Sequence, residues 1–570
     1  MTDVMNHSDT EADVHDRPAD ARIVTGRPST HGDSYQLNTT TLIRHSARTY
    51  PEQEIVYRTA DGGWDRYTYA DSYSRMQRIA NVLTELGVTP GDVVGVLDWN
   101  SRRHFELYWA IPGTAAVMLQ MNLRLSTEDL GFVATHSEAH TVLVDESLLG
   151  VAEALAPHAP GVRNWVVMSD RPAEEIDTSL PNVHHLEDLM AAASPEFDWP
   201  MIDEKSAYSA CYTTGTTGRP KGIYYSHRGM YLHTLSQSAH LGINDTDTVM
   251  ITTPMFHAQS WGLPQSAVYG AAKIVLPGRY AVEEIATLVD VMITEDVTVT
   301  NGAPAIFSPM LDHIKTLDVP PDFRRARLLS GASEPALSLM REFYEITGAD
   351  IIHGYGATET TPLATSNRGV KSTIAASLSE EQRWDLKRRQ GLPATGIDIR
   401  IVDADGNDLP HDGVSQGEVL LRGPWIIESY YHLDDNADRF LDGYWRSGDV
   451  GVIDENGYLK LTDRLKDIIK SGGEWISSID MENAIVAHPR VVEAAVIGVS
   501  HPQWQERPVA FVATSDGEDI GIDEIHALLG DRFAKWQLPD TVLLVDAIPR
   551  TSVGKINKRA LRDDYGDLYA

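Results

Sequence analysis

The sequence predicts an α/β protein. A large N-terminal domain of mostly parallel sheets and helices ends in a small β-rich subdomain, and a small α+β C-terminal domain follows. Three observations predict it. Short apolar runs alternate with helical patterns between residues 71 and 330, as in βαβ units. After Gly391 the texture changes to strands separated by Asp/Gly/Asn turns. Beyond Asp463 about a hundred residues form a separate mixed unit, an ordinary domain size.

In chain order, residues 1–36 are rich in Asp, Thr, Pro and His and read as a disordered acidic tail. They lack the apolar stretch of a signal peptide. Asp71 to Leu86 has helical spacing of Tyr73, Met76, Ile79, Ala80, Leu83 and Leu86, stopped by Gly87. The runs Asp92–Leu97, Ala139–Val144, Asn164–Met168, Thr248–Thr252, Lys273–Leu276, Val297–Asn301 and Arg327–Ser330 read as buried parallel strands. Ser366 to Gln390 is polar, charged and outside that alternation. Asp398–Val402 and Glu418–Arg422 are the strands of the β-rich subdomain. In the last unit Val491–Val499 and Thr541–Val545 read as strands and Ile522–Phe533 as a helix. The domains are therefore expected at 37–463 and 464–570.

Charge narrows the partners. Asp and Glu number 82 against 48 Lys and Arg, a formal net charge of -34, and only 12 of the basic residues are Lys. Such a surface serves general solubility or adaptation to a salty cytoplasm, and the Lys-poor balance favours the second. It excludes nucleic acid and anionic membranes as expected partners. No run of 18 uncharged apolar residues marks a membrane span. The one cysteine, Cys211, permits no internal disulfide and reads as a small buried hydrophobe at a strand end. A cytoplasmic location is expected.

The most informative segment is Tyr212-Thr-Thr-Gly-Thr-Thr-Gly-Arg-Pro-Lys-Gly222, which follows the strand-like Ser206–Cys211. Gly215 and Gly218 let the backbone approach a ligand, while Thr213, Thr214, Thr216 and Thr217 add hydroxyls. Lys221 adds a point charge, and the set suits a polyphosphate. It is not a Walker A loop, because Arg219 and Pro220 separate Gly218 from Lys221.

This segment resembles the phosphate-binding signature of the adenylate-forming superfamily, which includes acyl-CoA synthetases, luciferases and peptide-synthetase adenylation domains. Further signatures follow in order, so the resemblance covers nearly everything from residue 37 onward. Gly331-Ala332-Ser333 would line the adenine site. In His353-Gly354-Tyr355-Gly356-Ala-Thr358-Glu359-Thr, the tyrosine would lie against adenine and Glu359 would hold Mg²⁺, with Thr213 on the metal side. Asp449 would accept hydrogen bonds from the ribose hydroxyls, with Arg464 on ribose or phosphate. The resemblance makes Lys466 the hinge pivot, Lys470 and Trp475 nucleotide contacts, and Gly472 and Gly473 the coenzyme A side. It makes Lys555 the catalytic lysine and Lys558 an exposed companion. Pro254-Met-Phe-His257-Ala-Gln-Ser-Trp261 resembles the acyl-pocket segment of the medium- and long-chain fatty-acyl branch. There Trp261 would gate a tunnel and His257 would stand near the carboxylate.

The resemblance implies a ligase that takes fatty acid, ATP and coenzyme A to acyl-CoA, AMP and diphosphate through an acyl-adenylate. Medium- to long-chain acids are the expected substrates. It also implies a C-terminal domain mobile about its hinge, and by analogy a homodimer. A carrier-loading adenylation enzyme would share the first step, a luciferase-like oxygenase is a rarer relative, and a nucleotide sensor is the non-catalytic alternative. The sensor would be expected to have lost Lys555 or Glu359, and both are present.

Overall fold

The computed structural model describes residues 24–32, 34–213, 219–281, 284–433, 436–472, 474–530, 532–550 and 556–569. Of the expected acidic tail, residues 1–23 and 33 lie outside the described residues. The remainder of the tail makes no helix or strand.

Among the described residues two large sheets build the N-terminal domain. One runs Leu392–Pro393, Leu363–Asn367, Asp350–Gly356, Arg327–Ser330, Val299–Gly302, Thr248–Met250, Lys273–Leu276, Glu54–Arg58, Trp64–Thr68. Its centre is parallel, and its two margins are antiparallel. The other runs Val183–His185, Asn164–Met168, Ala139–Asp145, Val93–Leu97, Val117–Gln120, Ala207–Tyr212, Gly222–Ser226. It is parallel except for the last pair. Central strands such as Val93–Leu97 are buried on both faces, which is why they read as unbroken apolar runs.

Local signals set the helix ends. Tyr69–Glu85 begins two residues before the expected Asp71, because Thr68 is the N-cap. Thr68 Oγ1 accepts from the Asp71 N–H at 3.2 Å, and Asp71 Oδ2 accepts from the Thr68 N–H at 3.0 Å. Its buried face carries Met76, Ile79, Ala80 and Leu83, as the spacing predicts. The helix expected over Ile522–Phe533 is shorter, Ile522–Leu529, and ends before Gly530.

Smaller sheets follow. Asp398–Val402, Gly417–Arg422, Tyr444–Ile453, Phe440–Leu441 and Leu459–Arg464 form the β-rich subdomain. Ile469–Ser471, Glu474–Ile476, Val491–His501, Gln505–Thr514 and Thr541–Leu544 form the C-terminal sheet. Against it lie the helices Ser478–Val486, Ile522–Leu529 and Lys558–Tyr565. In the polar segment the helix Glu380–Arg388 buries its own Leu386, while most of that helix faces solvent.

The helix Arg102–Gly113 is buried along nearly its whole length and carries charge inward. Arg75 donates to Glu106 at 2.7 Å and to Glu187 at 2.8 Å, and Arg103 donates to Glu187 at 2.8 Å. Burial alone would raise the Glu187 carboxyl. The hydrogen bonds and charges of Arg75 and Arg103 outweigh it and bring the pKa down to about 2. A depressed carboxyl stabilises the fold above its unfolded value, and that share is lost as pH falls toward about 2. Glu187→Gln is expected to remove up to about 3 kcal/mol of the stability that wild type loses between pH 5 and pH 2. Denaturant titration of both proteins at each pH checks it, and equal acid sensitivity would contradict the assignment.

Candidate active site

The phosphate segment is the tip of the antiparallel hairpin formed by Ala207–Tyr212 and Gly222–Ser226. Residues 214–218 lie outside the described residues, so Thr214, Gly215, Thr216, Thr217 and Gly218 are not placed. The base of the tip is closed by backbone pairing. Thr213 N–H donates to Lys221 O at 3.0 Å, and Lys221 N–H donates to Thr213 Oγ1 at 3.2 Å.

Two other parts of the chain meet this tip. The turn Thr358–Thr360 follows the strand Asp350–Gly356, and Tyr225 of the hairpin donates to Thr358 O at 2.7 Å. From the β-rich subdomain side, Tyr431 N–H donates to Gly222 O at 2.9 Å. Tyr430 joins all three parts. Its hydroxyl donates to Glu359 Oε1 at 2.8 Å and accepts from Trp445 Nε1–H at 3.0 Å. The Lys221 ammonium stands 4.8 Å from the centre of the Tyr430 ring.

Burial raises the Glu359 carboxyl above the ordinary range, opposed by the Tyr430 hydrogen bond and the Lys221 charge. Burial and the nearby Arg439 charge lower Lys221. The charges of Lys221 and Arg464 both act on the Glu359 carboxylate, an environment that favours an incoming polyanion. Among the described residues no cluster of three or more Asp, Glu, His or Cys forms a metal cage. One carboxylate beside a phosphate loop fits Mg²⁺, which usually takes few protein ligands and completes its shell with phosphate and water.

At the other end Tyr355, Asp449 and Arg464 form a chain. Tyr355 OH donates to Asp449 Oδ2 at 2.7 Å, and Arg464 Nε–H donates to Asp449 Oδ1 at 2.8 Å across the strand pair. Each carboxylate oxygen keeps a lone pair for a further donor. The His353 ring is held by the backbone instead. Its Nδ1–H donates to Arg388 O at 2.6 Å, and burial lowers its pKa to about 4. Gly354 and Gly356 flank Tyr355 on the same strand. Gly356 is obligatory, since a β-carbon there would stand 1.6 Å from Pro362 O.

Gly331 opens the turn after Arg327–Ser330, and Ala332 has left-handed backbone with φ 67°. A β-carbon on Gly331 would lie 3.2 Å from the Trp261 ring, so the expected gate abuts the expected adenine segment. His257 is half-buried at the start of the same turn.

Past the strand Leu459–Arg464 come Lys466, which is exposed, and the hairpin Ile469–Ser471/Glu474–Ile476, where Lys470 pairs with Trp475. Gly472 turns this hairpin with φ 62° under Trp504. Gly473 and Lys555 lie outside the described residues. Lys558 corrects the expectation of an exposed companion. It is 9% exposed, 2.7 Å from Glu482 Oε1, and donates to Ser478 Oγ. The same Ser478 donates through N–H at 2.7 Å and Oγ–H at 2.6 Å to Asp463, while Lys460 pairs with Asp480 at 3.2 Å. These contacts bridge the segment carrying Lys466.

The missed contributors are Tyr430, Trp445 and Tyr225. Their only local mark is that each sits in an aromatic pair, Tyr224-Tyr225, Tyr430-Tyr431 and Tyr444-Trp445, which looks like any strand or strand end.

The AMP-binding enzyme family model matches residues 43–431, and that of the AMP-binding enzyme C-terminal domain matches residues 480–555. The chain belongs to the AMP-binding enzyme family, within its acyl-CoA ligases. Among similar proteins, a long-chain-fatty-acid–CoA ligase of Thermus thermophilus is 40% identical over 95% of this chain and 98% of its own. A 3-methylmercaptopropionyl-CoA ligase of Ruegeria lacuscaerulensis is 38% identical over 92% and 97%. A medium-chain-fatty-acid–CoA ligase of Ectopseudomonas oleovorans is 35% identical over 94% and 97%. Among solved structures, ATP-bound MatB from Rhodopseudomonas palustris matches with TM-score 0.77 and 25% identity, covering 94% of this chain and 100% of that one.

Two outcomes follow for the site. Tyr430→Phe should lower kcat/KM for ATP about tenfold, because one charge-assisted hydrogen bond to Glu359 is lost. Unchanged kcat/KM would remove Tyr430 from the site. Lys558→Met should destabilise the C-terminal domain by about 3–5 kcal/mol, since Glu482 is left buried without a cation. Adding Glu482→Leu should recover most of that loss in a denaturant melt.

Proposed function

We propose that this protein joins a fatty acid to coenzyme A, with ATP cleaved to AMP and diphosphate, through an acyl-adenylate. The observation that carries the reading is the meeting of Lys221, Tyr430 and Glu359 at the hairpin tip, opposite the Tyr355–Asp449–Arg464 chain. One end suits the polyphosphate and the other the nucleoside. The names of these three similar ligases span thioether, medium-chain and long-chain acids, which supports an aliphatic substrate.

In the first step a carboxylate oxygen bonds to the α-phosphorus of ATP while the α–β bridging bond breaks, and the electron pair leaves with diphosphate. Both reactants are anionic, so cationic residues must offset their repulsion. Lys221 and Lys555 take that role, with Tyr430 holding Glu359 in place. Mg²⁺ on Glu359, with Thr213 on the metal side, would neutralise phosphate charge when bound. Asp449 and Arg464 orient the ribose, and Gly331, Ala332, Ser333, Gly354, Tyr355, Gly356 and Thr358 line the base, with Lys470 and Trp475 as further nucleotide contacts. In the second step the coenzyme A sulfur bonds to the acyl carbon and AMP leaves. Rotation at Lys466 brings Gly472 and Gly473 to the coenzyme A side while Lys555 withdraws. His257 and Trp261 face the acid. A cytoplasmic, salt-adapted enzyme agrees with the net charge of -34.

ATP–diphosphate exchange and AMP release, run in high salt with a series of acids, test the reading. Acid-dependent exchange together with coenzyme A-dependent AMP release is expected. Exchange without thioester would favour a carrier-loading enzyme, and no exchange a nucleotide sensor. Lys555→Ala should abolish exchange yet keep thioester formation from supplied acyl-adenylate. Equal loss of both half-reactions would overturn its role.

A further inference from the structure

The helix Thr127–His136 ends beside the hairpin Ala207–Tyr212/Gly222–Ser226 and touches it on both sides of its tip. Leu130, Gly131, Val133 and Ala134 are the buried residues of this helix. Gly131 packs so tightly that a β-carbon there would stand 2.5 Å from His158 Cβ. Phe132 and His136, one turn apart with rings 5.0 Å from centre to centre, are left to face the hairpin. His136 Nδ1 and the Tyr212 hydroxyl share a hydrogen bond at 2.9 Å. The Arg219 guanidinium lies 5.0 Å from the centre of the Phe132 ring. Tyr212 immediately precedes Thr213–Gly218 and Arg219 immediately follows it, so a single helix grips the chain at both ends of the phosphate segment.

The base of the tip is packed with rings. The Tyr212 ring lies against Gly222 of the facing strand, where a β-carbon would stand 2.9 Å from Tyr212 Cζ. Gly222 O accepts from Tyr431 N–H at 2.9 Å, and the Tyr431 ring stacks on Tyr224 at 4.1 Å. His136 meets Tyr212, Tyr431 and His432 edge to face, with ring centres 5.8, 5.6 and 6.0 Å away. The helix, the hairpin and the segment that carries Tyr430 therefore come together at this one imidazole. Ring contacts tolerate sliding, whereas the His136–Tyr212 hydrogen bond fixes a direction.

A Gly/Thr-rich segment has to present its N–H groups and hydroxyls to a polyphosphate in one arrangement, and any ordering left to the moment of binding weakens affinity. We propose that His136 is a positioning residue for the ATP half of the reaction. Through Tyr212, and with Phe132 holding Arg219, it sets both ends of Thr213–Gly218 before ATP arrives. Arg219 then serves as an anchor of the segment and not as a phosphate ligand. This rests on the ligase reading and deepens it, at a helix that carries none of the signature residues. Attack of the coenzyme A sulfur on an acyl-adenylate involves no β- or γ-phosphate, so the second half-reaction is independent of these anchors.

The test uses the full chain in high salt, with the acid that gives the fastest wild-type ATP–diphosphate exchange. Tyr212→Phe and His136→Leu should each raise the KM for ATP in exchange about fivefold, as the loss of one net hydrogen bond implies, with kcat at saturating ATP within about twofold of wild type. Thioester formation from supplied acyl-adenylate should keep its wild-type rate in both. His136→Asn, whose amide can bond the Tyr212 hydroxyl from near the Nδ1 position, should recover most of the loss. Combining Tyr212→Phe with His136→Leu should cost no more than either alone, because both remove the same bond. Thermal melting identifies which variants are folded, and either single one suffices. An unchanged KM for ATP in a folded variant would overturn the inference, as would equal loss of both half-reactions. Both results leave the ligase reading standing. If no acid supports exchange by wild type, the ligase reading itself fails and this inference with it.

Discussion

The Tyr430 hydroxyl sits where three parts of the chain meet, and the geometry of the site depends on what it holds. Its hydrogen bond to Glu359 fixes the turn after the central strand Asp350–Gly356. Its ring lies under the Lys221 ammonium of the hairpin Ala207–Tyr212/Gly222–Ser226, and Trp445 of the β-rich subdomain donates to its hydroxyl. A buried carboxylate is costly unless donors and cations surround it. Glu359 has the Tyr430 hydroxyl as a donor and feels the charges of Lys221 and Arg464, and among the described residues it forms no ion pair of its own.

The same constraint, buried charge that must be matched, recurs at the hinge. Asp463 is 2% exposed and takes two hydrogen bonds from Ser478, while Lys558 is matched by Glu482, which shares a helix with Ser478. These groups couple the strand before Lys466 to the helix Ser478–Val486 after it. The rotation proposed above would have to open the Asp463–Ser478 and Lys460–Asp480 contacts, which give the observed orientation a definite set of bonds.

The turn at Trp261 follows a third form of the rule. The left-handed turn at Ala258–Trp261 exists because neighbouring amides and carbonyls are arranged to receive it. Strain in the backbone and satisfaction of buried polar groups are there one structure.

Much of the fold was legible in the chain itself. Asn164–Met168, Lys273–Leu276, Arg327–Ser330 and Asp398–Val402 are strands with the very bounds their composition suggests, because apolar and turn residues mark them locally. The hairpin Glu54–Arg58/Trp64–Thr68 was not, since its outer strand is polar and half exposed. Of the site, the motif residues Lys221, Glu359, Asp449 and Arg464 were visible because each sits in a dense, ordered signature. Sequence by itself determined the alternation of elements, the domain order, the acidic surface and the chemistry of the motifs, all of which are written within a few residues of one another. Only the tertiary structure decided that Tyr430 joins Lys221 to Glu359, that Lys558 is buried on Glu482, and that Gln237 holds the Trp261 carbonyl. Those pairings link residues about 24 to 209 positions apart, and no local pattern encodes a contact that exists only once the sheets have packed.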